Sequence, residues 1–272
     1  MNHRNISLGG FGLGFKNYFR AFSFIFNHGL AWVFLIPLAI SMVLYFSGFT
    51  FIEWASGWIN DTVDAWLASN PESWISKITP SFLSGLIKVL LHLLFFLLFS
   101  MYSGYLVLIF LSPLFAWLSE KTDEIETGRK YPFHFSQFLK DIWRGITIAL
   151  RNMFYQTLIF LLVLIASFLP VISFVTAPVG VIILFVVSSY FYGFVYMDYN
   201  CERHLFNTRE SVNLIRKYKG MAIANGALFS ITLYIPFCGV FLSTFASIVA
   251  VVGATLAMNE ISEFNNPVSK NK

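Results

Sequence analysis

Charged residues are scarce in this chain. Asp, Glu, Lys and Arg make up 12% of its 272 residues, hydrophobic residues make up 57%, and the mean hydropathy is +0.69. Soluble globular domains carry about a quarter of their residues as charges. The apolar residues also occur in blocks that, as helices, are comparable in length with a bilayer core of about 30 Å. The composition therefore excludes an ordinary soluble domain and predicts an all-α integral membrane protein.

Cysteines and catalytic motifs are scarce as well. The two cysteines, Cys201 and Cys238, allow no disulfide framework and no metal-spaced cluster. The sequence contains no phosphate-cradling glycine loop, zinc-binding histidine pair or nucleophile elbow. We therefore predict no enzyme activity, no cofactor and no metal site. The basic segments lack the soluble fold that would recognise nucleic acid, so we expect no nucleic-acid partner.

Two apolar blocks predict long transmembrane helices. Residues 30–52 are uncharged and reach about 35 Å as a helix at about 1.5 Å per residue. Residues 82–111 form the second predicted span, and Ser112 and Pro113 are expected to mark its end because a proline disfavours helix at the residue before it.

Residues 11–26, before the first span, have the periodicity of an amphipathic helix. Phenylalanines such as Phe15 and Phe22 recur on one side, and Lys16 and Arg20 lie on the other. One interpretation is an interfacial helix in the headgroup region of an anionic leaflet. The other, which the pattern favours equally, is a helix that packs on its own membrane domain.

The distribution of charge predicts the topology. Residues 119–151 and 198–220 are rich in Lys and Arg, whereas residues 53–81 are mainly acidic and contain four tryptophans. By the positive-inside rule the two basic segments are cytoplasmic and the acidic one is outside. The sequence thus predicts a single multi-pass domain, residues 1–272, in a bacterial-type inner membrane.

The two remaining apolar blocks, residues 152–197 and 221–258, must each leave the cytoplasmic side and return to it. Each is therefore a predicted helical hairpin, with breaks at residues 170–178 and 236–239. Residues 221–235 would reach only about 22 Å as a helix, so we favour hemi-penetrating hairpins, and full crossing remains the alternative. Paired proline-broken segments are typical of a transport site, although ordinary kinks give the same pattern.

Helix N-termini are the candidate anion sites, because their free amides and positive dipole ends favour negative charge. The second hairpin arms are expected to begin near Pro178 and Gly239, with their N-termini directed into the bilayer. Gly29, with Lys16 and Arg20 nearby in sequence, offers a third start at the cytoplasmic surface. Most helix N-termini bind nothing, and this remains the alternative for all three.

Several short segments follow one another in a distinctive order along nearly the whole chain. They are residues 27–30 and 36–38, residues 112–115, Glu120, residues 176–179, the set Tyr196, Asp198, Tyr199 and His204, then residues 235–236 and 253–255. In order and spacing they resemble the CysZ-type sulfate permease family, whose relatives include the etoposide-induced-protein-like membrane proteins.

This resemblance implies two transmembrane helices, two hemi-penetrating hairpins, an oligomer of antiparallel dimers in some members, and sulfate uptake for cysteine synthesis. In the family's transporters the glycine and leucine that match Gly29 and Leu30 are followed by an arginine implicated in sulfate binding. Here Ala31 and Trp32 follow instead. The resemblance also singles out Glu120, Asp198 and His204 among the polar residues.

The hypothesis from the sequence is a passive permease or channel for a small oxyanion, sulfate by family resemblance, that forms a homo-oligomer in the lipid bilayer. The alternative is a membrane scaffold or lipid-interacting protein that kept this fold without transporting anything.

Overall fold

A computed structural model describes residues 3–70, 80–130, 135–167, 173–204, 206–235 and 238–261. Apart from short turns these residues are helical, which confirms the predicted all-α membrane fold. In chain order the helices are α1 His3–Asn27, the 3-10 helix η1 Ala31–Phe34, α2 Leu35–Ser69, α3 Pro80–Phe110, α4 Ser112–Thr127, α5 Phe135–Ser167, α6 Ser173–Arg203, α7 Thr208–Lys217, α8 Lys219–Leu233 and α9 Gly239–Asn259.

Several helices are long and apolar enough to cross a membrane. Three helical stretches among the described residues meet this condition alone: Phe135–Ser167, Pro178–Arg203 and Phe241–Asn259. Two bent pairs raise the number to five if each pair is one span: Gly10–Asn27 with Ala31–Ile40, bent by 108°, and Tyr102–Phe110 with Ser112–Thr127, bent by 65°. The second bend lies between Phe110 and Ser112, next to the Ser112 and Pro113 at which the sequence predicts the end of the span.

The chain divides into two compact units, which we call the smaller unit (residues 39–103) and the larger unit (residues 1–38 and 104–272). In the smaller unit α2 continues without a break to Ser69, so the acidic segment after residue 52 is helical as far as that residue. That the first span ends at residue 52 stays a prediction. Charge alone marks where a helix leaves the membrane and not where it ends. Exposed aromatics such as Trp54 and Trp58 continue along this extension.

Helix α8 lies at the centre of the larger unit and packs against α1, α6 and α9. Small residues one turn apart line its contact with α6: Ser189 and Gly193 on α6, Ala222 and Gly226 on α8. A Cβ atom on Gly193 would collide with the carbonyl oxygen of Ala222, and one on Gly226 would collide with that of Ser189. The two backbones therefore touch, as in the small-residue crossings of membrane helices.

Within the larger unit, helix α1 packs against α8 and α9. This agrees with the interpretation that α1 packs on its own membrane domain. A Cβ atom on Gly14 would lie 2.8 Å from the Met221 carbonyl oxygen of α8, and the Tyr18 hydroxyl donates to the Ala246 carbonyl of α9 at 3.2 Å. Other phenylalanines of α1, such as Phe19 and Phe22, are exposed. The helix therefore has a packed face and a second apolar face suited to lipid.

The hairpins differ in the length of their arms. Helix α8 has 15 residues, so it reaches about 22 Å and is shorter than the hydrocarbon core of about 30 Å. The predicted break at residues 170–178 lies partly outside the described residues, but Pro178 lies inside α6 and not at its start. Pro236 also lies outside them, and α9 begins at Gly239 as predicted. How deeply each hairpin enters the bilayer stays a prediction.

We predict that Gly226→Ala lowers the free energy of unfolding by about 1–3 kcal/mol, because the new methyl group overpacks the contact between α6 and α8. Gly12→Ala is the matched control, since nothing lies within 4 Å of its Cβ position and alanine favours a helix by about 0.5–1 kcal/mol. Thermal unfolding in detergent micelles measures both. Equal melting temperatures for the two variants would contradict this account of the crossing.

Thiol labelling tests the depth of the second hairpin. Cys238 is exposed at its tip, whereas Cys201 is buried. In a Cys201→Ser background, an impermeant maleimide added outside intact cells should leave Cys238 unlabelled, because α8 is too short to carry it across. Ser69→Cys on the cysteine-free chain serves as the positive control, since Ser69 is exposed at the end of α2 in the predicted outer segment. Ready labelling of Cys238 would establish a full crossing.

Candidate functional site

The turn after α1 contains Gly29, one of the three predicted anion sites. Gly29 has a φ of 68°, its amide donates to the Phe26 carbonyl at 3.4 Å, and the Leu30 amide donates to the Ile25 carbonyl at 2.9 Å. These two bonds and the left-handed glycine form a Schellman cap, in which Leu30 and Ile25 supply the buried apolar contact. Gly29 and Leu30 therefore have a structural reason to occur together.

The two cations nearest before this turn in the sequence, Lys16 and Arg20, both form ion pairs. Ala31 begins η1, and the Trp32 ring lies 5.6 Å from that of Trp117. Lys16 pairs with Glu260 at 3.3 Å, while Arg20 pairs with Glu126 at 2.7 Å and with Glu260 at 3.5 Å. The structure thus brings Lys16 and Arg20 to carboxylates.

Of the two helix starts predicted in the hairpins, the one at Gly239 agrees with the structure. Gly239 is the first residue of α9, and a Cβ atom there would lie 2.8 Å from the carbonyl oxygens of Leu233 and Thr232. The start of α9 is therefore pressed against the end of α8. Because α6 begins at Ser173, Pro178 does not mark a helix start, and the prediction that placed one there is wrong.

The most elaborate polar arrangement in the larger unit is one that the sequence pattern did not predict. We call it the buried ionic cluster, and its members are Asp123, Arg144, Asp198, Glu202 and Arg203. The only signal for it in the sequence was the general rule that ionisable residues next to apolar spans are functional candidates. Contact between helices α4, α5 and α6 brings the cluster together.

Arg144 of α5 is the centre of the first half of the cluster. Its guanidinium donates to both carboxylate oxygens of Asp198 at 3.0 Å, to the Phe206 carbonyl at 2.6 Å and to the Ser211 hydroxyl at 2.7 Å. Glu202 lies 3.8 Å away. The ion-pair partner of Asp198 therefore comes from another helix.

Arg203 of α6 holds the second half of the cluster. It pairs with Asp123 of α4 at 3.5 Å and donates to the Asn200 side-chain oxygen. Asp123 also accepts from the Asn259 amide at 2.7 Å, which ties α9 to the same point. Asp123 is fully buried, so this carboxylate of α4 faces the protein interior and not solvent.

The other family-matched polar residues lie beside the cluster. Glu120 interacts electrostatically with Arg203. The His204 ring donates from Nδ1 to the Asn200 carbonyl at 2.9 Å, so its Nε2 accepts from Arg129 at 3.1 Å. Burial lowers the pKa of His204, in agreement with this neutral tautomer.

The chemistry of the cluster favours helix anchoring over anion binding. Its two guanidinium groups face three carboxylates, so it has no excess positive charge to attract sulfate, and the best donors of Arg144 are already used. Within the residues that the structure describes, no group of three or more His, Cys, Asp and Glu side chains could hold a metal ion.

We predict that Asp198→Ala destabilises the protein by about 3 kcal/mol, because it leaves the largely buried Arg144 guanidinium without its bidentate carboxylate. Glu124→Ala is the control: it breaks the exposed pair with Lys121 and should cost no more than about 1 kcal/mol. Chemical unfolding in mixed micelles, followed by tryptophan fluorescence, separates the two. A similar small loss in both variants would mean that the cluster does not hold the helices.

Comparison with known proteins connects this fold to a family. A family model described as sulfate transporter CysZ/etoposide-induced protein 2.4 matches residues 17–243, a stretch that runs from α1 to the start of α9 and includes the Gly29 turn and the buried ionic cluster.

Individual relatives carry the same name. The chain is 28% identical over 239 residues to the sulfate transporter CysZ of Pseudomonas fluorescens strain Pf0-1, covering 85% of this chain and 87% of the relative. Its identity to proteins of that name is 27% over 234 residues in Pseudomonas paraeruginosa strain PA7 and 26% over 234 residues in Pseudomonas aeruginosa strain LESB58. Both alignments cover 85% of this chain and 88% of the relative. This chain is therefore a membrane protein that belongs to the sulfate transporter CysZ/etoposide-induced protein 2.4 family.

Proposed function

We propose that this protein is a multi-pass inner-membrane permease that conducts sulfate passively and works as a homo-oligomer. The observation that carries the proposal is the family match over residues 17–243, together with relatives named sulfate transporter over 85% of the chain. The family is one of transporters, and no catalytic role is proposed.

The helical architecture supports a conducting role. Helix α8 is too short to cross the bilayer, yet it lies at the centre of the larger unit and carries buried polar side chains. Asn225, for example, donates to the Ala250 carbonyl of α9 at 2.9 Å. Backbone that ends at membrane depth is tolerated where protein or a water-filled cavity surrounds it. A hairpin of this kind can line a polar path between protomers.

The segment from Gly29 to Trp32 is the proposed anion contact, on the strength of its correspondence to the arginine-containing segment of the family. Leu30 caps α1 and Ala31 opens the next helix, so a side chain at position 31 starts from a fixed backbone. Ala31 is only partly buried. Without an arginine there, binding would rest on backbone amides other than those of Gly29 and Leu30, which already donate to carbonyls of α1. We therefore expect weak sulfate affinity, which suits transport.

The rival function, a scaffold or lipid-interacting protein, is favoured by the same position. Ala31 and Trp32 stand where the family's transporters carry an arginine, and Trp32 contacts Trp117. A scaffold would need the fold and not the anion contact. The two functions differ in whether sulfate crosses a membrane that contains only this protein.

Sulfate flux into liposomes is the deciding measurement. Vesicles that contain the purified protein should take up radiolabelled sulfate faster than empty vesicles and stop at equal concentrations inside and outside, because passive movement has no energy source. In the same preparation Ala31→Arg should tighten sulfate binding by about tenfold or more, since a charge-assisted hydrogen bond contributes about 1.5–3 kcal/mol.

The control is Ser136→Arg, which adds the same charge at an exposed position on α5 and should leave sulfate affinity near the wild-type value. Calorimetry measures binding independently of transport. The permease proposal is wrong if the wild-type protein gives no flux above empty vesicles and neither it nor Ala31→Arg binds sulfate.

A further inference from the structure

A groove of about 530 Å³ lies on the larger unit among α5, α6, α7 and α8. Most of its wall is aliphatic or aromatic, with Ile159 from α5, Val186 from α6 and Ile223 from α8 among the lining residues. Val186 is 40% exposed and belongs to the stretch of α6 that is apolar enough to cross a membrane. An exposed aliphatic wall on such a stretch is suited to contact with lipid hydrocarbon.

Two cations and a hydroxyl group also line the groove. Arg216 belongs to the last turn of α7, Lys219 is the first residue of α8, and both are exposed. The Tyr190 hydroxyl interacts with Arg216 and also with Arg151 of α5. Among the described residues no acidic side chain lines the groove, and no carboxylate forms an ion pair with Arg216 or Lys219.

An apolar wall beside uncompensated cations matches an amphiphile. We propose that this groove binds one anionic glycerophospholipid, with its phosphate at Arg216 and Lys219 and an acyl chain along Val186, Ile159 and Ile223. Basic pockets between membrane helices bind anionic headgroups because the guanidinium and ammonium groups donate to phosphate oxygens. The Tyr190 hydroxyl adds a neutral donor on the same side.

Charge complementarity favours a lipid over a free oxyanion. A free oxyanion needs several converging donors, and the aliphatic wall of the groove offers it none. In a lipid, the same phosphate chemistry is attached to a hydrocarbon chain that covers the wall. Arg216 and Lys219 also lie in the basic segment, residues 198–220, that the positive-inside rule assigns to the cytoplasmic leaflet. The proposed headgroup is therefore at the depth where anionic headgroups occur.

Native mass spectrometry of the detergent-purified full chain tests the proposal, with phosphatidylglycerol and phosphatidylcholine of equal chain length as probes. The wild-type protein should retain one phosphatidylglycerol in preference to phosphatidylcholine. Each basic residue contributes roughly fivefold to anionic-lipid affinity, so Arg216→Gln with Lys219→Gln should lower the affinity for phosphatidylglycerol by roughly 30-fold.

Three further variants separate a built site from general attraction to negative charge. Lys130→Gln with Lys140→Gln removes two exposed cations that do not line the groove and should leave lipid retention unchanged. Val186→Trp fills the apolar part, keeps both cations and should also reduce retention. Arg216→Lys with Lys219→Arg keeps both charges and should preserve retention, which guards against misfolding as the cause of a loss.

The proposal is overturned if the wild-type protein does not prefer phosphatidylglycerol, if the Lys130 and Lys140 control loses as much lipid as the groove variant, or if Val186→Trp loses none. It is also overturned if millimolar sulfate or phosphate displaces the lipid, because the groove would then be a site for free anions. The proposal does not depend on sulfate transport: the lipid measurement uses protein in detergent, so failure of the flux assay leaves it unaffected.

Discussion

The direct backbone contact between α6 and α8 is the constraint on which the larger unit depends. Gly193 and Gly226 have no side chains, and a methyl group on either would collide with a carbonyl oxygen of the facing helix. In hydrocarbon, apolar side chains gain little from meeting each other, so van der Waals contact between closely approaching helices stabilises the fold. Because α8 reaches this position, α1 and α9 can pack on its remaining faces, and a helix shorter than the hydrocarbon core lies at the centre of the larger unit.

Ion pairs connect α4, α5 and α6. Arg144 connects α5 to α6 through Asp198, and Arg203 connects α6 to α4 through Asp123. Each guanidinium is matched by carboxylates, because a buried charge without a partner would cost several kcal/mol. The larger unit is therefore held together by close backbone contact at α8 and by ion pairs among α4, α5 and α6. Of the polar residues that the family resemblance singled out, Asp198 belongs to the buried ionic cluster, and Glu120 and His204 lie beside it. Stability explains them better than sulfate contact.

The proposed function and the proposed lipid site use different surfaces of the larger unit. The anion contact is assigned to the turn at Gly29, where the chain leaves α1, and the lipid to the groove beside Arg216 and Lys219. Among the described residues Arg216 and Lys219 form no ion pair with a carboxylate, whereas Lys16 and Arg20 of α1 and the two arginines of the buried ionic cluster are already paired. A positive charge in the sequence therefore indicates a ligand site only when the structure shows that no carboxylate pairs with it.

The sequence alone determined the membrane environment, the helical class, the family and the break after the second span, because hydrophobic blocks, charge asymmetry and proline act locally along the chain. It also determined that α8 is short. It did not determine the ends of α2, the place of Pro178 inside α6 or the partners of Lys16, Arg20, Asp123 and Asp198. Those partners lie far along the chain or on other helices, so only tertiary packing decides them. The glycines of α6 and α8 were visible in the sequence, but which helix each one touches depends on three-dimensional proximity, and that proximity is what made them the core of the unit.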